Sequence, residues 1–498
     1  MPVVAALTAL LGVSLCFRVV WLHRIPGING DEAWYGVQFQ RWLAGGSSSF
    51  LTPSRLPVNP MLLVTEMGLL RFLGPSFAVL RSPIVIWACV GLGLTYWLHR
   101  WVFGDRVQAL LVAALTACLP AHLAYSRMCW DTSFGLVTLP LVLYATLKLA
   151  AGEQVRRSAG LFLVGSVLSL WVHVTNAVFV AVCLLALAWQ FRRDVWRLVE
   201  QLLPCTLMLG GAAAVAVVAL AIAGWRLGWW LLVRADMRYA GLLIDQLGRV
   251  RVVGDLILGP RVYEYFAGVP RPGWAIVVYP LLLVVASGGL VVLHQRGSSN
   301  ERAIVFIVGL VMGLTVLLGS RLRLGEPSCE RYVLYWVPLG VGAWVRSVGR
   351  LIGRFLPGRT WLVPAVHLGV SCVFLVQFWC CYFQPLQHQT YSELLHRTFR
   401  TGPQEPKADA AEAIRRRSPD MARGRVIAED WWCQYPVPFL LGSGVDVATQ
   451  VERPDRALRV FVVGYSDGKF AEGVRDRMRS WGWRLHEQED FRDVTGRP

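Results

Sequence analysis

Along most of this chain, apolar runs near the length of a bilayer-crossing helix, roughly 17 to 25 residues, alternate with short polar breaks rich in Arg and Gly. Read on that pattern, the sequence predicts about eleven spans, at 3–22, 82–99, 107–124, 132–150, 159–172, 174–191, 203–223, 274–293, 303–319, 332–346 and 361–383. The run 58–73, "VNPMLLVTEMGLLRFL", is apolar but short. Asn59, Pro60 and Glu66 are each costly in hydrocarbon, so it reads as a helix lying at the interface. That choice sets parity: counted as a span, it would put the loop after 107–124 on the opposite face from the loop after 3–22.

Beyond residue 383 the pattern changes. "RVIAEDWW", "VDVATQ" and "RVFVVGYSD" read as strands and "KFAEGVRDRMRSWGW" as an amphipathic helix. The expected fold class is therefore mostly α: a polytopic membrane protein of about eleven transmembrane helices plus extracytoplasmic interfacial helices over 1–383, with a small soluble α/β domain over 384–498. A mixed sheet there would draw its core from the strands together with Phe439, Leu440, Leu441 and Trp481.

Composition agrees with a bilayer partner: 55% of the 498 residues are hydrophobic, 16% are charged and 22 are Trp. The net charge of +17, carried almost wholly by Arg, suits anionic headgroups or phosphates. Basic runs with interleaved aromatics are missing, which argues against nucleic acid. The eleven Cys are scattered with neither a disulfide framework nor zinc spacing. The first run lacks a small-residue cleavage site and reads as a retained span. Arg-rich loops at 99–106, 153–158, 190–197, 294–302 and 346–359 share one parity, which the positive-inside rule makes cytoplasmic. The outer loops 225–273 and 320–331 nevertheless carry many Arg.

Chemistry enters with "GINGDEAWYG", residues 27–36. Asp31 and Glu32 at a helix start can be caps worth roughly 0.5–2 kcal/mol, or they can be reactive groups. Their company favours the second reading. The same face receives Arg127 and Asp131 from "AYSRMCWDTSFG", His173 from the turn "WVHVTNA", and Arg331 and Tyr332 from "EPSCERYVLYW". Each has a plainer reading: a span cap for Asp131, a hydrogen-bonded turn for His173, snorkelling for Arg331. Together they make a set of acids and phosphate-seeking cations. Asp31, Glu32 and Asp131 could also hold a hard divalent cation through oxygen.

At these residues the sequence resembles the integral-membrane glycosyltransferases of the GT-C fold, in particular the branch related to protein O-mannosyltransferases and to the aminoarabinose transferases that modify lipid A. The resemblance is carried by "GDEAWYG", "LPVNPMLLVTEMGLLRFLG", "AYSRMCWDTSFG", "WVHVTN" and "ERYVLYWVPL" in that order, over roughly residues 1–383. Val174 stands where that family often has Pro.

The resemblance implies a polyprenyl-phosphate sugar as donor, an active site on the outer face of the cell membrane, and an acceptor that is a glycan, lipid or protein hydroxyl. It makes Asp31 the leading general base and Glu32 its neighbour in acceptor orientation or metal contact, with the two roles open to exchange. The donor phosphate would fall to Arg331, then Arg127, Arg234 and Arg238, and the substrate to Asp131, His173 and Tyr332. Metal dependence stays open, since relatives differ. Trp229, Trp230, Tyr239 and Tyr263 could form an interfacial belt or stack on sugar rings. A transporter or flippase would instead need ionisable groups near the bilayer midplane, and a scaffold would leave the loop acids as caps. The catalytic reading requires Asp131 to share one chamber with Asp31.

Overall fold

A computed structural model of the chain describes residues 2–47, 49–53, 57–191, 254–255, 259–270, 288–295, 297–318, 329–388, 397–399, 405–418, 424–429, 431–442, 445–448, 459–464 and 470–483. The helices are α1 Pro2–Val19, α2 Gly30–Leu43, α3 Pro60–Leu73, α4 Phe77–Phe103, α5 Arg106–Cys118, α6 Pro120–Tyr125, α7 Gly135–Ala150, α8 Val155–Val172, α9 Ala177–Gln190, α10 Pro260–Ala267, α11 Ser299–Leu318, α12 Trp336–Phe355 and α13 Leu362–Phe378. Among the described residues, four segments are long and apolar enough to cross a membrane: Phe77–Phe103, Asp131–Ala150, Val155–Val172 and Leu362–His388. Shorter apolar helices lie at Val3–Val19, Arg106–Cys118 and Val174–Gln190. The predicted span 203–223 and most of 274–293 fall outside the described residues.

Helix bounds differ from the hydropathy reading in several places, three of them for evident local reasons. The run 107–124 breaks at Leu119, where ψ is 132° ahead of Pro120, because proline pushes the preceding residue out of the helical region. The run 82–99 extends to Phe77–Phe103, since Ser76 accepts from the Val79 amide at one end and Gly104 takes φ 68° at the other. The last span continues past Phe378 through a π turn at Trp379–Phe383. Helix α3 has 14 residues. At 1.5 Å per residue it reaches about 21 Å, short of a hydrocarbon core of about 30 Å.

Helix α5 is the hub of the bundle, with α1, α4, α12 and α13 packed on it, while α7 carries α4, α8 and α9. Buried arginines bind backbone carbonyls near helix ends. Arg18 donates to the Ser14 and Ala117 carbonyls and meets His122 Nδ1 at 2.8 Å. Such contacts give a buried charge oxygen partners inside the bundle.

In the C-terminal part, α14 (Pro406–Arg417) precedes β1 (Gly424–Ala428), and α15 (Trp431–Gln434), α16 (Pro436–Leu441), β2 (Asp446–Ala448), β3 (Arg459–Val463) and α17 (Phe470–Ser480) follow. The sheet order is β2-β1-β3 with both pairings parallel, so among the described strands it is not the mixed sheet expected. The "WW" of "RVIAEDWW" starts a helix rather than ending a strand. Trp481 packs as expected against Ile427, Val474 and Met478. Phe439 does not join the sheet core: it packs with Ala33, Phe77 and Leu80 of the membrane part.

That misplacement reveals how the two parts meet. A Cβ on Gly30 would lie 2.1 Å from the Trp431 carbonyl oxygen, and one on Gly36 would lie 2.4 Å from the Phe439 ring. Gln40 Nε2 donates to the Phe439 carbonyl at 2.9 Å, and Phe77 stacks on Phe439 with centroids 6.2 Å apart. Both glycines of "GDEAWYG" are thus seats for the C-terminal part of the chain. Gly36→Ala should drive a methyl group into the Phe439 ring and destabilise docking by about 1–3 kcal/mol. Combining it with Phe439→Ala should recover part of the loss, read as protection of the C-terminal segment from protease in nanodiscs.

Candidate active site

The first loop positions its acids by a division of labour. Asn29 caps α2, its side-chain oxygen accepting from the Glu32 amide at 3.0 Å and its Nδ2 donating to Glu32 Oε1 at 3.2 Å. Glu32 then takes two bonds from Arg81, Nε at 2.6 Å and Nη2 at 2.9 Å, with both side chains fully buried. The same guanidinium donates to the carbonyls of Leu22, Pro26 and Gly27. Glu32 is therefore a fastener for the loop. Adjacent helical residues do not share a face, so committing Glu32 to Arg81 turns Asp31 elsewhere.

Asp31 turns into a cavity of about 440 Å³. Its walls are Asp31, Trp34 and Tyr35 from α2, Thr52 and Pro53 from the next loop, Trp130, Asp131 and Thr132, then His173, Arg331, Tyr332 and Trp431. Asp31 Oδ1 accepts from the Trp431 indole N–H at 2.8 Å. Asp131 Oδ2 accepts a short hydrogen bond from the Tyr35 hydroxyl, while Oδ1 is buried without a hydrogen-bond partner among the described residues. The Arg331 guanidinium lies over the Trp130 ring at 4.3 Å and donates from Nη2 to the Tyr332 hydroxyl at 3.2 Å, leaving Nε unpartnered among the described residues. His173 stacks on Tyr332, with centroids 5.1 Å apart and planes 19° apart.

Protonation follows from these surroundings. Burial pushes the Asp31 carboxyl above its ordinary value, with the Trp431 N–H and the Arg331 charge pulling the other way. Burial, aided by Arg331, lowers His173 to about 3, so its imidazole is neutral at pH 7. The Thr175 amide donates to Nδ1 at 3.3 Å, which assigns the ring proton to Nε2. Tyr35 is raised well above the usual phenol value by burial and then by Asp131, and stays a donor. The cavity thus holds two carboxyl groups, one fixed cation and neutral donors between aromatic walls.

No family model matches the sequence. No curated protein matches it. Among solved structures, the chain is similar to the oligosaccharyltransferase of Archaeoglobus fulgidus, at 15% identity and TM-score 0.46 over 88% of this chain. It spans 61% of that protein's length. It is also similar to ArnT of Cupriavidus metallidurans in the apo state, at 14% identity and TM-score 0.46 over 96% of this chain and 89% of the other. The structure of ArnT bound to undecaprenyl phosphate aligns at 12% identity and TM-score 0.45, over 94% and 87%.

Of the residues named from sequence, Asp31, Asp131, His173, Arg331 and Tyr332 line the cavity together. Glu32 does not, because Arg81 holds it in the loop's interior. Arg127 does not either: it donates to the carbonyls of Phe17, Val20 and Ile25, tying down the end of α1 and the loop that follows. Arg234 and Arg238, with Trp229, Trp230 and Tyr239, lie outside the described residues. Tyr263 is buried in the bundle against Phe378 rather than in an interfacial belt. With Glu32 withdrawn, the oxygen trio offered for a cation is not assembled, and no group of three or more His, Cys, Asp or Glu suited to a metal occurs among the described residues.

The sequence reading missed Tyr35, Trp130, Arg81 and Trp431. Tyr35 stands four residues after Asp31 on one helical face, a spacing that could have found it. Trp431 is 400 residues away and gave no signal. Stability should separate the adjacent acids. Glu32→Gln, which leaves Arg81 buried without its counter-charge, should cost about 3–5 kcal/mol. Asp31→Asn should stay within about 1 kcal/mol of the parent protein, both measured by thermal unfolding in nanodiscs.

Proposed function

We propose that the protein is a membrane glycosyltransferase that moves a sugar from a polyprenyl-phosphate donor to a hydroxyl acceptor by a single inverting displacement, on the outer face of the membrane. The observation that carries this reading is that Asp31 and Arg331, 300 residues apart in the chain, line one cavity. The sequence resemblance in "GDEAWYG" and "ERYVLYWVPL" points the same way.

In the step itself, the acceptor oxygen attacks the anomeric carbon while the bond from that carbon to the phosphate oxygen breaks. The acceptor's proton passes to Asp31, and the electron pair leaves with the phosphate. Base catalysis of this kind is worth about 100- to 10,000-fold. Arg331 meets the charge developing on the leaving phosphate, and a fixed cation in a partly dehydrated pocket is among the largest electrostatic contributions an enzyme can make. Stacking on Trp130 aims the guanidinium before substrate arrives. The Nε2–H of neutral His173 is a second donor suited to a phosphate or sugar oxygen. The Tyr35 hydroxyl fixes Asp131, whose free oxygen can accept from a sugar hydroxyl. Trp34, Trp130 and Trp431 offer faces for a sugar ring.

Transfer of radiolabel from a panel of undecaprenyl-phosphate hexoses, by protein in nanodiscs, tests the proposal. Asp31→Asn should lower turnover about 100-fold or more while donor binding persists; wild-type turnover would exclude Asp31 as the base. Because the base must be ionised and burial raises its proton affinity, kcat/KM should fall on acidification through a value above the ordinary 3.8 of aspartate. Arg331→Met should reduce kcat about 100- to 1,000-fold.

A further inference from the structure

We infer that the C-terminal domain is a working part of this site, and that Trp431 is the positioning residue that holds the Asp31 carboxylate for proton transfer. The inference rests on the proposed role of Asp31 and extends it to the C-terminal part of the chain, which the proposed function leaves without a task. Trp431 meets two consecutive residues of α2 at once. Its backbone oxygen occupies the place where a side chain on Gly30 would begin, and its indole N–H donates to Asp31 Oδ1. Contact at both points sets the register of α15 on α2 and leaves the indole one orientation relative to the carboxylate.

The fold supports the contact from behind. Helix α15 follows directly on β1, the central strand of the parallel sheet, so Trp431 is delivered from a carboxyl strand end, where open α/β sheets present their ligand-facing groups. Tyr435 packs edge-on against the Trp431 ring with centroids 4.8 Å apart. A second anchor, Phe439 on Gly36, lies away from the cavity.

A carboxylate with two free oxygens rotates about its terminal bond. Fixing Oδ1 on the indole directs Oδ2 to the acceptor proton, the pre-organisation that distinguishes a poised base from a solvated one. The bond also favours the ionised form, alongside the Arg331 charge, against burial. The other ionisable groups facing the same space are Asp131, Tyr35, His173 and Tyr332.

Full-length protein labelled with 5-fluorotryptophan in nanodiscs gives a test that needs no substrate. The Trp431 resonance, identified by its loss in Trp431→Phe, should shift with pH in one step, and Asp31→Asn should abolish that step. A resonance indifferent to pH, or a step that survives Asp31→Asn, overturns the contact. In the undecaprenyl-phosphate hexose assay, Trp431→Phe keeps the ring and loses the donor; kcat should fall about 10- to 100-fold, the worth of a hydrogen bond to a charged group, and the acidic limb of the rate should move to higher pH. Phe439→Ala, which loosens docking away from Asp31, should leave that limb in place. An unmoved limb in Trp431→Phe, or an equal displacement in Phe439→Ala, reduces Trp431 to packing and overturns the inference. Wild-type transfer by Asp31→Asn with the fluorine step behaving as expected would remove Asp31 as base while leaving the contact intact.

Discussion

The buried pair between Arg81 and Glu32 is the constraint from which the arrangement of the site follows. A guanidinium this deep in a helical bundle is tolerable only when its donors are satisfied, and Arg81 satisfies them on Glu32 and three carbonyls of the first loop. In doing so it fixes the loop after α1 on the flank of α4, sets the start of α2, and decides which of two neighbouring acids is left for the cavity. Arg127 and Arg18 repeat the device at the C-terminal end of α1. The buried arginines of this region are therefore struts of the chamber, and Arg331 differs from them in lining the cavity itself.

The chamber is assembled from the ends of rigid elements. Asp31 and Tyr35 lie one turn apart on α2, Asp131 opens the short helical turn ahead of α7, His173 ends α8, and Arg331 precedes α12. Such positions carry backbone groups that a helix cannot satisfy internally, so polar side chains gather there at little cost. They are also where an apolar bundle can hold charge near its surface. The Trp431 and Phe439 seats on Gly30 and Gly36 then close one side, joining a parallel α/β unit to the membrane part through contacts too tight for any residue with a Cβ.

Much of this was legible in the chain. The apolar runs marked the helices, and the rejection of 58–73 as a span agrees with the short α3 and with Asp131 lying beside Asp31. The strands after residue 423 were legible as short apolar, β-branched runs. Less legible were the ends: Pro120 split a span whose hydropathy is continuous, and "WW" at 431–432 continued a strand pattern into a helix. Hydropathy averages over a window, whereas helix ends are decided by single residues that cap or break the backbone ladder.

By itself, the sequence determined that this chain is built of apolar helices followed by a segment with short strands, and which loops carry acids and arginines, because burial patterns and charge placement are properties of linear order. Only the tertiary structure decided that Glu32 belongs to Arg81 and Asp31 to the cavity, that Arg127 holds carbonyls, and that Trp431 reaches Asp31 across 400 residues. Those outcomes depend on which partner each polar group meets in three dimensions, and a hydrogen bond spans about 3 Å whatever the separation along the chain.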